Sequence, residues 1–397
     1  MKIIDEGVAG RAGKGDIQVT VKPAEKRSID LRSSIERLFG DNIRREIDAE
    51  LDRLGVNGVA LTAIDDGVLD YVIAARVEAA IAAATSEPTP YRPSERAFEF
   101  DPGRLHRSRL YVPGNNPSLS VNAWLFGADM ILFDLEDSVP PSEKQASRYL
   151  VRNTLLVRRL GESEAAVRIN SLSGDYGIDD LEVVVPSGPE VIALPKAESA
   201  ADIELLKSEI VRIQAAAGTN HKIGIMPIIE SAIGVVKAPE IAAVDGVVML
   251  TFGAEDFTKD IGTARTREGK EHFVARCNIV CAAKAYGRFV SDTVYSDFGD
   301  IDGLIASTEE SKSIGFDGRG LIHPLQVEPV HEVFAPNNDE LLYAVRVVRA
   351  AEEAEKAGVG AISIGSKMID PPIVARARGL IAIAVRSGIP LPKPDGE

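Results

Sequence analysis

Residues 129–139 read DMILFDLEDSV, and this stretch decides the fold. Met130 to Phe133 form a short unbroken apolar run, the pattern of a strand buried on both faces in a parallel sheet. The run ends in a burst of carboxylates: Asp134, Glu136 and Asp137. Working outward, the same design recurs. RLYVP (109–113) precedes it, and AAVRIN (165–170), EVIALP (190–195), KIGIMPII (222–229), GVVMLTF (246–252), RFVSDTV (288–294) and RGLIHP (319–324) follow. Each run but the last is followed by a stretch able to hold a helix. Eight such units in roughly 220 residues suit a closed barrel better than an open sheet. No Gly-rich dinucleotide turn follows the first strand, which argues further against an open nucleotide-binding sheet. The expected fold is therefore α/β, a (β/α)8 TIM barrel with a C-terminal helical extension, preceded by a small α+β domain.

The domain boundaries follow from composition. Residues 85–102, TSEPTPYRPSERAFEFDP, contain four prolines and no periodicity, so they read as an extended linker. We expect a first domain at 1–84, a linker at 85–103, the barrel at 104–335 and the extension at 336–397. In the first domain, Ile17, Val19 and Val21 alternate as a half-buried strand, and Ser33 and Glu36 have capping-box spacing. Ile43, Ile47, Leu51 and Leu54 mark one helix face that Gly55 can end. A strand near 59–64 and a helix at about 68–84 complete the unit. Past the barrel, residues 338–356 read as a helix with Leu341, Ala344, Val345, Val348 and Ala351 on one face and Gly358 as its stop. The apolar tail beyond is expected to pack on a neighbouring subunit.

Bulk properties exclude some functions. The chain has 397 residues, is 45% hydrophobic and 26% charged, and is only 5% aromatic, so its core is built from aliphatic residues. A net charge of −15 argues against a nucleic-acid partner, which needs a basic face. No run approaches the length of a membrane span, and a soluble, cytoplasmic protein is expected. Cys277 and Cys281 share a helix face and read as a reduced structural pair.

In a barrel the C-terminal strand ends face the active site. Here those ends supply Asp134, Glu136, Asp137, Arg168, Lys196, Glu230, Glu255, Asp256, Asp292 and His323. Any one of them could be a salt bridge or a helix cap, but the set converging on one face points to a site. Several carboxylates without a neighbouring Cys or second His suit a hard cation such as Mg²⁺. Glu230 and the Glu255–Asp256 pair sit on successive strands and can meet over one ion. Arg168 and Arg109 can bind a substrate carboxylate through a planar fork. A metal with arginines suits a hydroxy or oxo acid, though spacing alone leaves enolase-type and phosphotransfer chemistry open. His323 reads as a pocket wall or structural residue rather than a general base. GRAGKGD (10–16) is a false phosphate loop, because Val8 and Gly15 stand where that motif needs Gly and Ser or Thr.

These segments resemble citrate lyase. Over residues 104–390 the chain resembles its β subunit, within the broader malyl-CoA lyase group, through RSRLYVPGNN, FDLEDSV with EKQASR, VRIN, LPKAES, IIESAIG, FGAEDF, ARCNIVCAAKA, DTVYSD, GFDGRGLIHPLQ and SKMIDPP. The resemblance implies Mg²⁺ on Glu230 and Asp256. It implies that Arg168 and Arg109 hold the substrate carboxylate and the thioester side, and that Asp370 enters a neighbouring subunit's site as the acid–base group. It also implies a homotrimer or homohexamer. Residues 1–84 resemble the acyl carrier (γ) subunit, through AG-x-x-x-x-GD, SSIERLFGDNIR and DDGVLDYVIAARVEAA. Carriers of that family hold a covalent phosphoribosyl-dephospho-CoA arm on a serine directly before GD. Lys14 stands there, so the arm is expected to be absent and the thioester to come from outside.

The expected activity is Mg²⁺-dependent cleavage of a citryl-, malyl- or citramalyl-type CoA thioester to acetyl-CoA and a 2-oxo acid, reversible as a condensation. CoA enters only as part of the substrate. Two alternatives stand beside it: a citrate lyase subunit serving a separate carrier, and a non-catalytic scaffold.

Overall fold

The computed structural model describes residues 1–96, 98–157, 160–357, 362–364 and 367–392. Gly358, expected to stop a helix, lies outside them.

The first unit runs β1 (Gly7–Ala9), β2 (Ile17–Pro23), β3 (Ser28–Ser33), α1 (Glu36–Arg53), β4 (Val59–Asp65) and α2 (Asp70–Ala83). Its sheet has the order β1-β2-β4-β3, with β3 and β4 parallel and the other pairs antiparallel. Ile17, Val19 and Val21 point into its core beside Ile43, Ile47 and Leu51. The capping-box reading of Ser33 is corrected. Ser33 is the last residue of β3 and its hydroxyl donates to Asp65, while α1 starts after Ile35 without a side-chain cap.

The barrel comprises β5 (Ser108–Pro113), α3 (Pro117–Ser120), β6 (Met130–Asp134), α4 (Lys144–Val157), β7 (Glu164–Arg168), α5 (Gly177–Val184), β8 (Val191–Leu194), α6 (Ala200–Ala217), β9 (Gly224–Ile229) and α7 (Ala232–Ala243). It continues with β10 (Met249–Phe252), α8 (Ala254–Asp260), α9 (Phe273–Ala285), β11 (Phe289–Asp292), α10 (Ile301–Ile314), β12 (Gly318–Leu321) and α11 (Val327–Phe334). The eight strands are parallel and close, with β12 pairing β5 through Leu321 and Leu110.

Strand parity explains both the core and the site. Met130, Leu132, Ala166, Val191, Ala193, Met226, Ile228 and Met249 fill the barrel interior. Their neighbours Ile131, Phe133, Val167, Ile192 and Leu250 face the helices. Asp134, Arg168 and Glu230 continue the inward columns by two residues each and so emerge at the C-terminal mouth.

The first unit is bolted to the barrel through α4, whose Tyr149 and Leu150 belong to its core. Between α2 and α4 the fully buried Glu78 carboxylate accepts from Arg152 Nη1 at 2.9 Å, and Arg53 also pairs with it. The chain ends with α12 (Asn338–Ala357), the hairpin β13 (Ile362–Ile364) and β14 (Lys367–Ile369), and α13 (Pro371–Arg386). These elements share a small core of their own: Ala344, Val347, Ile369 and Ala377. Among the described residues, no helix is long and apolar enough to cross a membrane. Cys277 and Cys281 are free thiols on α9.

Candidate functional site

A cavity of about 440 Å³ opens at the C-terminal mouth of the barrel. Arg109, Asp134, Asp137, Arg168, Glu230, Glu255 and Asp256 all line it. A larger neighbouring hollow of about 700 Å³ shares Glu255 and Thr293 with it, but holds neither Arg168 nor Glu230. The smaller cavity is therefore the one that unites the expected chemistry.

Arg168 is the hub. Its Nε and Nη2 bond both oxygens of Asp134 at 2.7 and 2.8 Å, a bidentate pair, while Nη1 lies 2.9 Å from Glu136 and 3.4 Å from Asp137. Burial works against both charges of the Arg168–Asp134 pair, but their hydrogen bonds outweigh it. Asp134 is thus held below the usual carboxylate range and Arg168 above its ordinary value. One edge of the guanidinium, Nε with Nη2, is taken by Asp134, so Nη1, facing Glu136 and Asp137, is the one able to exchange a protein carboxylate for a substrate's. Tyr111 lies between the two arginines, 5.4 Å from Arg109 and 5.2 Å from Arg168, its ring facing both cations.

Glu230 is buried at the end of β9. Its Oε1 accepts from the backbone N–H of Lys196 at 2.7 Å. Burial first, then the negative charges of Glu136 and Asp256, push its pKa up to about 8, with the Lys196 N–H opposing them. Glu230 is thus a buried carboxylate beside more negative charge than its surroundings neutralise, which is the electrostatic demand a divalent cation meets. Asp256, in the first turn of α8, lines the same cavity, and its carboxylate has no hydrogen bond or ion pair among the described residues. Gly253 leaves the space: a Cβ there would lie 2.6 Å from Glu230 Oε2. No cluster of three or more His, Cys, Asp or Glu donors is found among the described residues. Mg²⁺ does not need one, since it commonly uses one or two carboxylates and completes its shell with water and substrate oxygens. Glu230 and Asp256 fit such an ion.

The other expected residues divide. Arg109 is buried inside the barrel, where it lines the cavity and its Nη1 donates to Thr251 Oγ1 at 3.0 Å. Lys196 reaches Glu136 Oε1 at 2.7 Å from a left-handed backbone, φ 53°. Glu255 lines the same cavity as Glu230, and its carboxylate pairs with Arg265 at 2.7 Å toward the larger hollow. Asp292 is not in the cavity. It points outward between α9 and α10, bonded to Arg276 and Ser311. His323 is likewise outward: its ring caps the turn at Leu325 and stacks on Phe298, 4.9 Å away. Asp370 is exposed and caps α13 through the N–H of Ile373.

Sequence reading missed Tyr111, Arg265 and Lys144. Lys144 Nζ donates to the carbonyls of Leu135 and Glu136 and to Asn170, fixing the loop that carries the acidic run. Its only signal was its place in EKQASR.

The family model for HpcH/HpaI aldolase/citrate lyase matches residues 107–324, and that for malonate decarboxylase delta subunit (MdcD), an acyl-carrier type, matches residues 4–84. The N-terminal likeness is thus to an acyl-carrier subunit described from malonate decarboxylase. The citrate lyase subunit beta of Escherichia coli K12 is 40% identical over 288 residues, covering 72% of this chain and 95% of its own. A (3S)-malyl-CoA thioesterase of Cereibacter sphaeroides is 35% identical over 279 residues, covering 70% and 94%. Among solved structures, CitE of Mycobacterium tuberculosis in complex with magnesium, acetoacetate and coenzyme A is 30% identical with a TM-score of 0.59, covering 71% of this chain and 99% of that one.

Proposed function

The chain belongs to the HpcH/HpaI aldolase/citrate lyase family, and we propose that it cleaves a carboxylated 3-hydroxyacyl-CoA thioester to acetyl-CoA and a 2-oxo acid with Mg²⁺ on Glu230 and Asp256. It is a carbon–carbon lyase. The observation that carries the substrate reading is the meeting of Glu230 and Asp256 with Arg168 in one cavity at the barrel mouth. Two carboxylates suited to a cation and one arginine suited to a carboxylate match a 2-hydroxy acid end. The magnesium, acetoacetate and coenzyme A named with the mycobacterial structure support the same ligand classes here.

When bound, Mg²⁺ supplies a Lewis acid for the oxygens of the hydroxy-acid end and for the charge that develops there. Arg168 holds the substrate carboxylate through Nη1, while Asp134 fixes the plane of its guanidinium. The Asp370 carboxylate of a neighbouring protomer takes the hydroxyl proton, and the adjacent C–C bond breaks. The 2-oxo acid forms on one side, and the electron pair passes to the thioester as its enolate. Asp370 of a neighbouring protomer then gives a proton to that enolate carbon, completing the acetyl thioester. The walls of the cavity, Ile228, Phe252 and Val294, keep water from competing for the enolate.

A second reading is thioester hydrolysis, favoured by the name of the Cereibacter relative. One assay separates the readings. Purified protein with Mg²⁺ is given citryl-CoA, malyl-CoA and citramalyl-CoA in turn, and acetyl-CoA and free CoA are followed by liquid chromatography, with Asp256→Ala alongside. The lyase reading expects acetyl-CoA that the variant does not release. Free CoA without acetyl-CoA would establish hydrolysis instead. No product from any ester, but product once a serine-bearing carrier is charged, would assign the chain to a carrier-dependent complex.

A further inference from the structure

The N-terminal unit packs on the loop that follows β5, a strand whose last residue, Pro113, lines the catalytic cavity. Arg76 grips Asp16 with two hydrogen bonds of 2.9 Å and donates to the carbonyl of Asn115 at 3.1 Å. Arg11 pairs with Glu143, and Asn115 also bonds Glu143. Between these clamps Gly15 adopts φ 78° and abuts Ser118 so closely that a Cβ would collide with its hydroxyl. The turn at 13–16 is therefore pinned to the loop after β5, whose last residue, Pro113, lines the cavity.

Positive charge is scarce along this loop. Residues 113–128, PGNNPSLSVNAWLFGA, contain no Lys or Arg, so the barrel offers no cation along this stretch. Arg11 and Arg76 come from the N-terminal unit but are committed to Glu143 and Asp16. Lys14 is exposed, and no hydrogen bond or ion pair engages it among the described residues. On a chain of net charge −15, an uncommitted cation beside the loop that follows β5 is the local exception that lets a polyanion approach.

Resting on the thioester reading above, we infer that Lys14 binds the phosphate groups of the CoA thioester as its chain leaves the cavity. The N-terminal unit is then a fixed wall of the substrate site rather than a mobile donor. The acyl end is read by Arg168 and the phosphate end by a lysine from a different folding unit.

The test is calorimetric binding of CoA and of pantetheine, which lacks the phosphates, to the full-length protein and to Lys14→Glu, Lys14→Arg and Lys26→Glu. Lys26 is exposed at the far end of β2 and serves as the charge control. Lys14→Glu is expected to weaken CoA about tenfold and to leave pantetheine unchanged, as loss of one charge-assisted contact would. Lys14→Arg and Lys26→Glu are expected to bind CoA as the unaltered protein does. CoA binding indifferent to Lys14→Glu, or pantetheine weakened equally, overturns this inference alone. No CoA binding by the unaltered protein overturns the thioester reading beneath it as well.

Discussion

The backbone N–H of Lys196 donates to Oε1 of Glu230 at 2.7 Å, and Lys196 holds a left-handed backbone at φ 53° to do so. A side chain in that region costs roughly 1–2 kcal/mol, so something must hold it there. Its Nζ is tied to Glu136, which in turn lies against Arg168. The carboxylate suited to the metal and the arginine suited to the substrate are thus oriented through one residue.

That link gives a comparison. Lys196→Gly and Lys196→Ala both lose the ion pair to Glu136, but only glycine adopts the left-handed backbone without strain. We expect Lys196→Gly to bind Mg²⁺ more tightly than Lys196→Ala in calorimetric titration. Equal affinities would mean that the N–H does not orient Glu230.

Gly253 makes a second prediction from space alone. Its φ of −110° suits any residue, so alanine brings no backbone strain. The added Cβ would sit 2.6 Å from Glu230 Oε2 and 2.8 Å from its Cβ, so the Glu230 side chain must move. Gly253→Ala should lower Mg²⁺ affinity about tenfold, which is about 1.4 kcal/mol. Thermal stability without metal should fall as well, because the Glu230 Cβ cannot swing aside, so affinity is to be read well below the variant's melting temperature. Unchanged metal affinity would remove Glu230 from the ion site.

The contrast between Glu230 and Asp292 explains how much was legible. Both end barrel strands, and reading strand ends alone ranks them together. On β9, Met226 and Ile228 face inward and carry Glu230 with them; on β11, Val290 faces the helices and carries Asp292 outward to Arg276. His323 follows Arg319 and Leu321 outward by the same rule. The eight strands were legible because each is a dense apolar run. The direction of the residue after each run requires the parity of the whole strand. Tyr111, Lys144 and Arg265 were not legible because their roles arise from contacts with distant segments. The closing of the N-terminal unit onto α4 depends on Glu78 and Arg152, 74 positions apart, which no local pattern pairs.

That pair predicts how firmly the units are joined. Glu78 has no exposed side chain, and its partner Arg152 is nearly as buried. Glu78→Gln leaves two guanidiniums, Arg53 and Arg152, without their shared carboxylate. The cost of breaking such a buried pair is about 3 kcal/mol. Chemical denaturation should show a loss of unfolding free energy of that size, and Glu78→Gln with Arg152→Met should lose less than Glu78→Gln alone. A double variant as unstable as the sum of its parts would show that the two residues are not coupled.

His331 sets a pH dependence. Ser108 Oγ accepts from the N–H of Asp129 and lies 2.6 Å from His331 Nε2, with the Asp129 carboxylate 3.5 Å from the same ring nitrogen. Burial, with Arg107 adding to it against Asp129, pushes the His331 pKa down to about 4 from an ordinary 6.5. The unfolded chain therefore binds this proton first. Stability from His331 is complete above about pH 6.5 and is lost as the pH falls toward 4, by about 2 kcal/mol after allowance for partial exposure. Melting curves at pH 7.5 and pH 5 should differ less for His331→Gln than for the unaltered protein. Identical differences would show that His331 does not contribute.

Asp370 is not among the residues that line its own chain's cavity. It is exposed at the start of α13, in a unit whose small core is separate from that of the barrel. If Asp370 completes a neighbouring protomer's site, Asp370→Ala and Asp256→Ala damage different halves of one site. Each variant alone should be inactive. Refolded together in equal amounts, they should regain about a quarter of the full activity, because half of the cavities keep Asp256 and half of the visiting residues keep Asp370. Asp370→Ala should also bind Mg²⁺ normally, since the residue touches no ligand of the ion. Regained activity near zero, with mixed oligomers verified by differently tagged chains, would place the acid–base group within a single chain. Activity retained by Asp370→Ala alone would remove the residue from the reaction altogether.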